Sequence, residues 1–193
     1  MQILRLRVVF ESGINLIEVS AFQNLTSLIS ITIPNTVTEI RASAFRGCTG
    51  LTSVSITYGV TSIGASAFQG CIRLNNVVIP GSVTIIGDSA FFGCSMLTIL
   101  TISQGVRIIN TRAFQNSNVL SVTIPSSITF IGNNAFNGNN RLSTVHFNAD
   151  LTSANFGNSS FPGDLRVKYF GVNGGPGRYT TSNPGSIALW LRN

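Results

Sequence analysis

The dipeptide Ala-Phe returns at a fixed interval along most of the chain, and this repeat constrains the fold more than any other feature. Its six copies carry Phe22, Phe45, Phe68, Phe91, Phe114 and Phe136. The steps between them are 23, 23, 23, 23 and 22 residues, and a leucine follows each phenylalanine by six residues. A period in the low twenties is typical of solenoids, in which each coil buries an apolar side that it cannot bury alone. The repeat therefore predicts a solenoid with one short strand per coil.

The alternation of residue types within a repeat indicates which side chains face the core. In the segment 51–57, Val54 and Ile56 share one side of a strand, whereas Ser53 and Ser55 share the other. We expect the apolar side to point into the coil and the hydroxyl side to form an outer sheet face. The six phenylalanines are predicted to fill the interior from a short helical or 3₁₀ turn. The residue missing from the 22-residue repeat is predicted to lie between Leu120 and Ile124.

The repeat is seen best in residues 79–97, which read Ile-Pro-x-x-Val-x-x-Ile-Gly-x-x-Ala-Phe-x-Gly-Cys-x-x-Leu. This unit resembles the BspA-like class of leucine-rich repeat, and the resemblance covers about residues 8–150. It implies an α/β-type leucine-rich repeat solenoid with short parallel strands on the concave side. Turns or short 3₁₀ or helical pieces would then lie on the convex side. It also implies secreted or surface-anchored bacterial proteins that are similar to adhesins binding host matrix proteins or other microbes.

The two ends of the chain differ from the repeats. Residues 1–154 are predicted to form the solenoid, and residues 155–193 a C-terminal capping segment that covers its last coil. Residues 165–169 alternate like a final strand, and the apolar residues expected to seal the coil are Phe161, Phe170, Ile187, Leu189 and Trp190. The stretch 174–179, with Trp190, resembles the end segment of spirochaete leucine-rich repeat proteins. The start, MQILRLRVVF, is too short and too interrupted by arginine for a signal peptide.

The composition leaves little material for catalysis. Only 9% of residues are charged, against about 25% in an average soluble domain. The chain has one histidine, six acidic residues and three cysteines, with no evident nucleophile motif or phosphate loop. We therefore expect no enzyme, no cofactor and no metal site. The net charge is +6, but the arginines are scattered and nucleic-acid binding needs clustered cations, so no nucleic-acid partner is expected.

The cysteines occupy one position of successive repeats. Cys48, Cys71 and Cys94 are 23 residues apart, whereas zinc sites usually need closely spaced ligand pairs. Neighbouring coils could bring two of them within disulfide range, but a column of buried thiols that pack as small hydrophobes is favoured. The same position holds Leu25, Ser117 and Asn139 in the other repeats, and Arg41 and Asn110 replace the repeat's glycine. These departures are interpreted as ordinary repeat drift.

The predicted outer face of the strands is the candidate partner-binding surface, on the concave side that the resemblance implies. Its candidate contact residues are Thr32, Ser55, Asn76, Val78, Ile99, Thr101, Thr123 and His146. Most outward positions are small and polar, but Val78 and Ile99 on adjacent coils, with Val9 more distant, could form a modest apolar patch of the kind that marks contact sites. His146 lies between Val145 and Phe147 on the last predicted strand, where a contact role or a plain solvated position is expected.

The sequence therefore predicts a non-enzymatic interaction protein. The resemblance to the BspA-like class implies an extracellular, cell-surface or periplasmic setting. Its partner would be a protein or glycan on a host or bacterial surface. One alternative is a binder of hydrophobic small molecules or lipids, and another is a structural module that forms homo-oligomers through an uncovered N-terminal end. A further hypothesis places a basic surface for anionic glycans on the convex side, formed by Arg41, Arg46, Arg107 and Arg112.

Overall fold

The computed structural model describes residues 8, 10, 13–185 and 189–193, and it confirms a leucine-rich repeat solenoid. The strands and the helix of these described residues are, in chain order, β1 (Leu16–Ile17), β2 (Ser30–Thr32), β3 (Glu39–Ile40), β4 (Ser53–Ser55), β5 (Ser62–Ile63), β6 (Asn76–Ile79), β7 (Ile85–Ile86), β8 (Ile99–Ile102), β9 (Ile108–Ile109), β10 (Ser121–Ile124), β11 (Phe130–Ile131), β12 (Thr144–Phe147), α1 (Leu165–Phe170), β13 (Gly177–Thr180) and β14 (Leu191–Arg192). Val9 and Ile187, each with a predicted role, lie outside the described residues.

Each coil contributes two strands, so the prediction of one strand per repeat was wrong. The odd-numbered strands β1 to β11 form a six-stranded parallel sheet. The even-numbered strands β2 to β12 form a second parallel sheet, which β13 and β14 extend to eight strands in antiparallel pairing. Strands of the first sheet are two residues long, which is too short for alternation to identify a strand in the sequence.

The repeat period sets the register of both sheets. Ile40 pairs with Ile63, and Ile31 pairs with Val54, each exactly one repeat away along the chain. Equivalent side chains consequently stack on one another at the spacing of parallel strands, about 4.8 Å. Every column of the sequence repeat thereby becomes a physical row along the solenoid.

The Ala-Phe turn is a series of tight turns, where a short helical or 3₁₀ piece was expected. In one coil the Arg46 N–H donates to the Ser43 carbonyl three residues back, while the Phe45 N–H donates to the Ala67 carbonyl of the next coil. Ser43 has a φ of 58°, and the residues at the same position of the following coils are also left-handed. Since a helix needs consecutive right-handed residues, this position interrupts one, and alternate N–H groups bond to the adjacent coil instead.

The six phenylalanines form a continuous stack through the core. Consecutive ring centroids lie 5.0–5.2 Å apart with interplanar angles of 6–14°. Phe161 extends the stack by one more ring, 4.8 Å from Phe136. Phe22, in the first described coil, is only partly buried, whereas the other five rings of the repeat are inaccessible to solvent. The rings therefore hold neighbouring coils together along the whole solenoid.

The short repeat loses its residue in the turn 117–119, so the prediction that placed the loss between Leu120 and Ile124 was wrong. Val119 takes the position that leucine holds in the other coils and is fully buried, whereas Leu120 is half-buried. The strand that follows is already shifted, since Ser121 pairs with Ile99. Counting by residue type had aligned Leu120 with the leucines, although the apolar residue before it fills the core.

The C-terminal segment ends the solenoid with a helix and an antiparallel hairpin. Residues 165–169, predicted as a strand, belong to α1. Leu165 and Tyr169 are buried at helical spacing, while Val167, which a strand would have placed beside them, is 70% exposed. The Tyr169 hydroxyl donates to the Ala149 carbonyl and accepts from the Leu151 N–H, at 2.9 and 2.8 Å. These bonds fix the helix to the last coil.

Of the four predicted sealing residues that the structure describes, two are buried and two are exposed. Phe161 and Trp190 are buried, with the Trp190 ring N–H donating to the Pro162 carbonyl. Phe170 is 38% exposed and Leu189 is 72% exposed, so the prediction was wrong for these two residues. The boundary expected at residue 154 stays a prediction, and bonds between coils continue beyond it as far as the Ser160 carbonyl. Among the described residues, no helix has the length and apolar character that crossing a membrane would require.

Candidate interaction surface on the eight-stranded sheet

The outward-pointing side chains of the eight-stranded sheet form two rows, and we call the surface that they make the outer face. Each strand points one set of alternate residues into the core and the other set outward. The first row is Ser30, Ser53, Asn76, Ile99, Ser121, Thr144, Thr180 and Leu191. The second row is Thr32, Ser55, Val78, Thr101, Thr123, His146 and Arg178. The face is mostly short hydroxyl side chains held on a regular backbone.

All of the predicted contact residues lie on this face. Thr32, Ser55, Asn76, Val78, Ile99, Thr101, Thr123 and His146 are each exposed. The structure thus assembles them on one surface, and their contact with a partner stays a prediction. Arg178, Thr180 and Leu191 also belong to the face and were missed, because they come from the antiparallel hairpin beyond the last repeat.

Val78 and Ile99 lie near the middle of the outer face. Asn76 pairs with Ile99 and Val78 pairs with Thr101, so the two apolar side chains are diagonal neighbours on β6 and β8. Val78 is 49% exposed and Ile99 57% exposed. They form a small apolar patch between two polar grooves.

The first groove, here called the amide groove, lies on β4 and β6 and has a volume of about 410 Å³. Ser53, Ser55, Asn75 and Asn76 supply its polar groups, and Val78 borders it. It contains no charged side chain among its lining residues. It therefore offers hydroxyl and amide groups, which both donate and accept hydrogen bonds.

The second groove, here called the cationic groove, lies on β8, β10, β12 and β13 and has a volume of about 500 Å³. Thr101, Ser121, Thr123 and Thr144 line it from successive strands, and His146 and Arg178 line its C-terminal end. His146 and Arg178 are direct partners in the β12–β13 pairing. Within the described strands, these two are the ionisable side chains of the outer face.

The cysteines lie inside the solenoid, away from the outer face. Cys48, Cys71 and Cys94 are buried free thiols. Each Sγ donates to the carbonyl of the phenylalanine one coil earlier, as the Cys71 thiol does to Phe45 at 3.1 Å. Burial raises the pKa of Cys94 to about 12 and also raises the pKa values of Cys48 and Cys71. No group of potential metal ligands assembles in the described part of the chain.

Ser117 and Asn139 continue this column of donors, so their presence is more than drift. The Ser117 hydroxyl donates to the Phe91 carbonyl at 2.9 Å. The buried Asn139 amide donates to the Phe114 and Phe136 carbonyls at 2.8 and 2.7 Å, and its oxygen accepts from the Val119 N–H at 3.0 Å. In the other coils the equivalent N–H reaches a carbonyl three residues back. Asn139 supplies the acceptor that the shortened turn removes.

The hypothesis of a basic surface on the convex side is weakened, because one of its four arginines already forms ion pairs. Arg41 forms an ion pair with Glu18 at 2.7 Å and a second with Glu39 at 3.5 Å. Arg46, Arg107 and Arg112 are exposed. Because Arg41 already has two carboxylate partners, the proposed anionic-glycan surface would depend on the remaining three.

Two further apolar surfaces were missed or only partly foreseen. On the six-stranded sheet, Ile85, Ile108 and Phe130 pair in register and point away from the core, each at least partly exposed. At the first described coil, an apolar pocket of about 350 Å³ is lined mainly by Val8, Phe10, Ile14, Leu16, Ile17, Ala21 and Phe22. Recognising the second strand of each coil would have revealed the first of these surfaces.

Three solved structures resemble this fold. A leucine-rich repeat protein of T. pallidum is 24% identical, with a TM-score of 0.68 over 85% of this chain and 81% of that one. The pneumococcal vaccine antigen PcpA is 27% identical, with a TM-score of 0.58 over 74% of this chain and 37% of that one. A leucine rich cell surface protein from Faecalibacterium prausnitzii is 27% identical, with a TM-score of 0.56 over 95% of this chain and 51% of that one. The chain thus spans about a third and a half of the last two proteins.

No curated protein matches the chain. The family described as BspA type Leucine rich repeat region matches in six copies, over residues 15–143 and 61–170. The matched residues include the Ala-Phe turns, the cysteine column and both parallel sheets described above. The chain therefore belongs to the BspA type leucine-rich repeat family.

Proposed function

We propose that this protein is a non-enzymatic interaction module that acts at the cell surface as an adhesin. Its partners would be host matrix proteins, surface proteins or glycans, and the outer face would bind them. The family and the fold support an interaction role, and the Faecalibacterium neighbour is named a cell surface protein. The observation that carries the proposal is the outer face itself, which presents two exposed rows of side chains across eight strands.

The outer face has the properties that binding needs. Its side chains are mainly serine and threonine, which lose little conformational freedom when a partner immobilises them. Its backbone is held by the pairing of eight neighbouring strands, so the two grooves are formed before binding. Val78 and Ile99 add apolar area between those grooves. Preorganised polar groups with a small apolar centre suit recognition and require no reacting residue.

The proposal is tested by surface binding of the purified protein to a panel of host matrix glycoproteins and bacterial cells. The test variant carries Val78→Asp with Ile99→Asp, which places two charges at the centre of the outer face. The matched control carries Ile72→Asp with Met96→Asp, since these two apolar residues are similarly exposed but lie on the turns, away from the strands. We expect the unmodified protein to bind saturably. Its affinity should fall at least tenfold in the test variant and stay within twofold in the control.

Circular dichroism and thermal unfolding establish that both variants remain folded. Binding that is lost equally in both variants, or kept in both, would move the site away from the outer face. Absence of binding to every member of the panel would contradict the adhesin role.

The pocket at the first described coil favours a second candidate function, the binding of hydrophobic small molecules or lipids. Apart from Glu18 its lining residues are apolar, and its volume of about 350 Å³ suits a short acyl chain. A fluorescent fatty acid should bind saturably, and Leu16→Asp should abolish that binding. The same surface could instead contact a second copy of the chain. Light scattering would favour assembly over lipid binding if the molecular mass rose with protein concentration and if Leu16→Asp removed that rise.

A further inference from the structure

The cationic groove is distinguished from the rest of the outer face by its charge. The even-numbered strands from β2 to β10 carry no ionisable side chain on this face. The next two strands, β12 and β13, carry His146 and Arg178 as direct partners. Directly opposite side chains on paired antiparallel strands lie about 4.5–5.5 Å apart at their Cβ atoms. A single small anionic group can therefore contact both side chains.

The arginines of the C-terminal segment differ in what their guanidinium groups contact. Arg166 donates to the carbonyls of Phe156 and Ser153, and Arg192 donates to the carbonyls of Asn173 and Pro176, so both stabilise the cap. Among the described residues, the Arg178 side chain forms no hydrogen bond and no ion pair. It is exposed at the end of the cationic groove. Its planar set of donors is suited to binding a carboxylate or a sulfate with two hydrogen bonds.

The rest of the groove supplies hydroxyl groups in a row that leads to this cation. Thr101, Thr123 and His146 occupy one position of β8, β10 and β12, and Arg178 follows on β13. Ser121 and Thr144 line the parallel row. Neighbouring strands are about 4.8 Å apart, and each hydroxyl can both donate and accept. A saccharide presents hydroxyl groups with the same two capacities along an extended chain.

We propose that the cationic groove binds an acidic saccharide, with a carboxylate or sulfate at Arg178 and His146 and the sugar hydroxyls on the serine and threonine rows. This inference rests on the proposed function and names the class of ligand for one part of the outer face. A neutral saccharide lacks the group that Arg178 would hold. An acidic peptide has the charge but offers few hydroxyls to the two rows.

The test measures binding by calorimetry at low salt with four probes. A heparin-derived hexasaccharide carries sulfate and carboxylate, an oligogalacturonate carries carboxylate alone, a dextran oligosaccharide is neutral, and an oligoglutamate peptide is acidic without sugar. We expect both acidic saccharides to bind at least tenfold more tightly than dextran and oligoglutamate. A preference between the two distinguishes sulfate from carboxylate, and added salt should weaken both.

Three variants assign the binding to the groove. Arg178→Gln should weaken acidic-saccharide binding about ten- to a hundredfold, the range expected for loss of a hydrogen bond to a charged group. Thr123→Val removes one hydroxyl at nearly constant volume and should weaken binding several-fold. Arg73→Gln removes the same charge from an exposed turn outside the groove and should change affinity less than twofold.

Several results would overturn the inference. Equal losses in Arg178→Gln and Arg73→Gln would show a non-specific charge effect, and tight oligoglutamate binding would make the ligand an acidic peptide. If neither acidic saccharide binds while matrix binding through Val78 and Ile99 is retained, this inference alone is overturned. Failure of the saccharides and of the whole panel would overturn the proposed function as well.

Discussion

At the scale of single residues, the stacked phenylalanines account for much of the cohesion between coils. Phe68 is fully buried between Phe45 and Phe91, with centroids 5.1 and 5.0 Å away. We expect Phe68→Ala to lower the free energy of unfolding by about 3–5 kcal/mol, as core phenylalanine truncations do. Phe22→Ala, at a partly buried ring, should cost clearly less. Urea unfolding compares the stability of the two variants, and equal losses would contradict the expected difference between a fully buried and a partly buried ring.

The buried thiols predict how stability depends on pH. Burial raises the pKa of Cys94 to about 12, against about 8.5 for a cysteine in an unfolded chain. The unfolded state therefore releases a proton between these values while the folded state keeps it, so the free energy of unfolding falls as pH rises from about 8.5 to 12.

The variant Cys94→Ser isolates this contribution, because Ser117 shows that a hydroxyl can donate from the same position. Its stability should decline less steeply with pH than that of the parent protein, in denaturant titrations between pH 8 and 11. Parallel curves for the two proteins would exclude a role for this thiol in the alkaline loss.

At the scale of a structural element, the shortened coil leads us to expect a loss of stability from a substitution that the repeat consensus would favour. Replacing Asn139 with cysteine restores the most regular residue of the column but removes the acceptor of the buried Val119 N–H. Leaving a buried donor unsatisfied costs about 1–3 kcal/mol, so we expect Asn139→Cys to destabilise by about that amount. Ser117→Cys keeps a donor toward Phe91 and should be nearly neutral. Thermal unfolding distinguishes the two, and equal effects would contradict the role of Asn139.

The elements that the sequence predicted are those whose signal recurs. The outward rows of β4 to β12 follow from alternating valine, isoleucine, serine and threonine, and the buried cysteine column follows from its 23-residue spacing. The strands of the six-stranded sheet contain two residues each, so each shows a single alternation, which is too short to identify a strand. Residues 165–169 alternate like a strand, yet the contacts of Tyr169 with residues 149–151 favour the helix Leu165–Phe170. Its six residues cannot specify that outcome without their tertiary partners.

The candidate site was only partly predictable for the same reason. Thr101, Thr123 and His146 occupy repeat positions, so their common face could be deduced from the sequence. Arg178 reaches that face through an antiparallel pairing between segments about 30 residues apart, and no periodicity connects them. The position of Arg178 in the cationic groove therefore could not be predicted from the sequence without the fold of the C-terminal segment.

At the scale of the whole molecule, stability should vary along the solenoid axis. Each coil contacts only its neighbours, so coils flanked on both sides are held more firmly than those at an end. We expect slower amide hydrogen exchange at Val77 and Leu100 in central strands than at Ile31 in β2, the first described strand of the eight-stranded sheet. Exchange measured by NMR tests this, and uniform protection along the axis would instead indicate a single all-or-none opening.

The antiparallel attachment of β13 has a consequence for variation in length. Each added 23-residue unit would insert one more hydroxyl-bearing strand between existing coils without disturbing their pairing. The arginine would stay at the capped terminus, because it belongs to the hairpin and not to the repeated unit. Duplication of coils could therefore extend the reach of this surface while its single charged anchor remained in place, so that contact area and anion recognition could change independently.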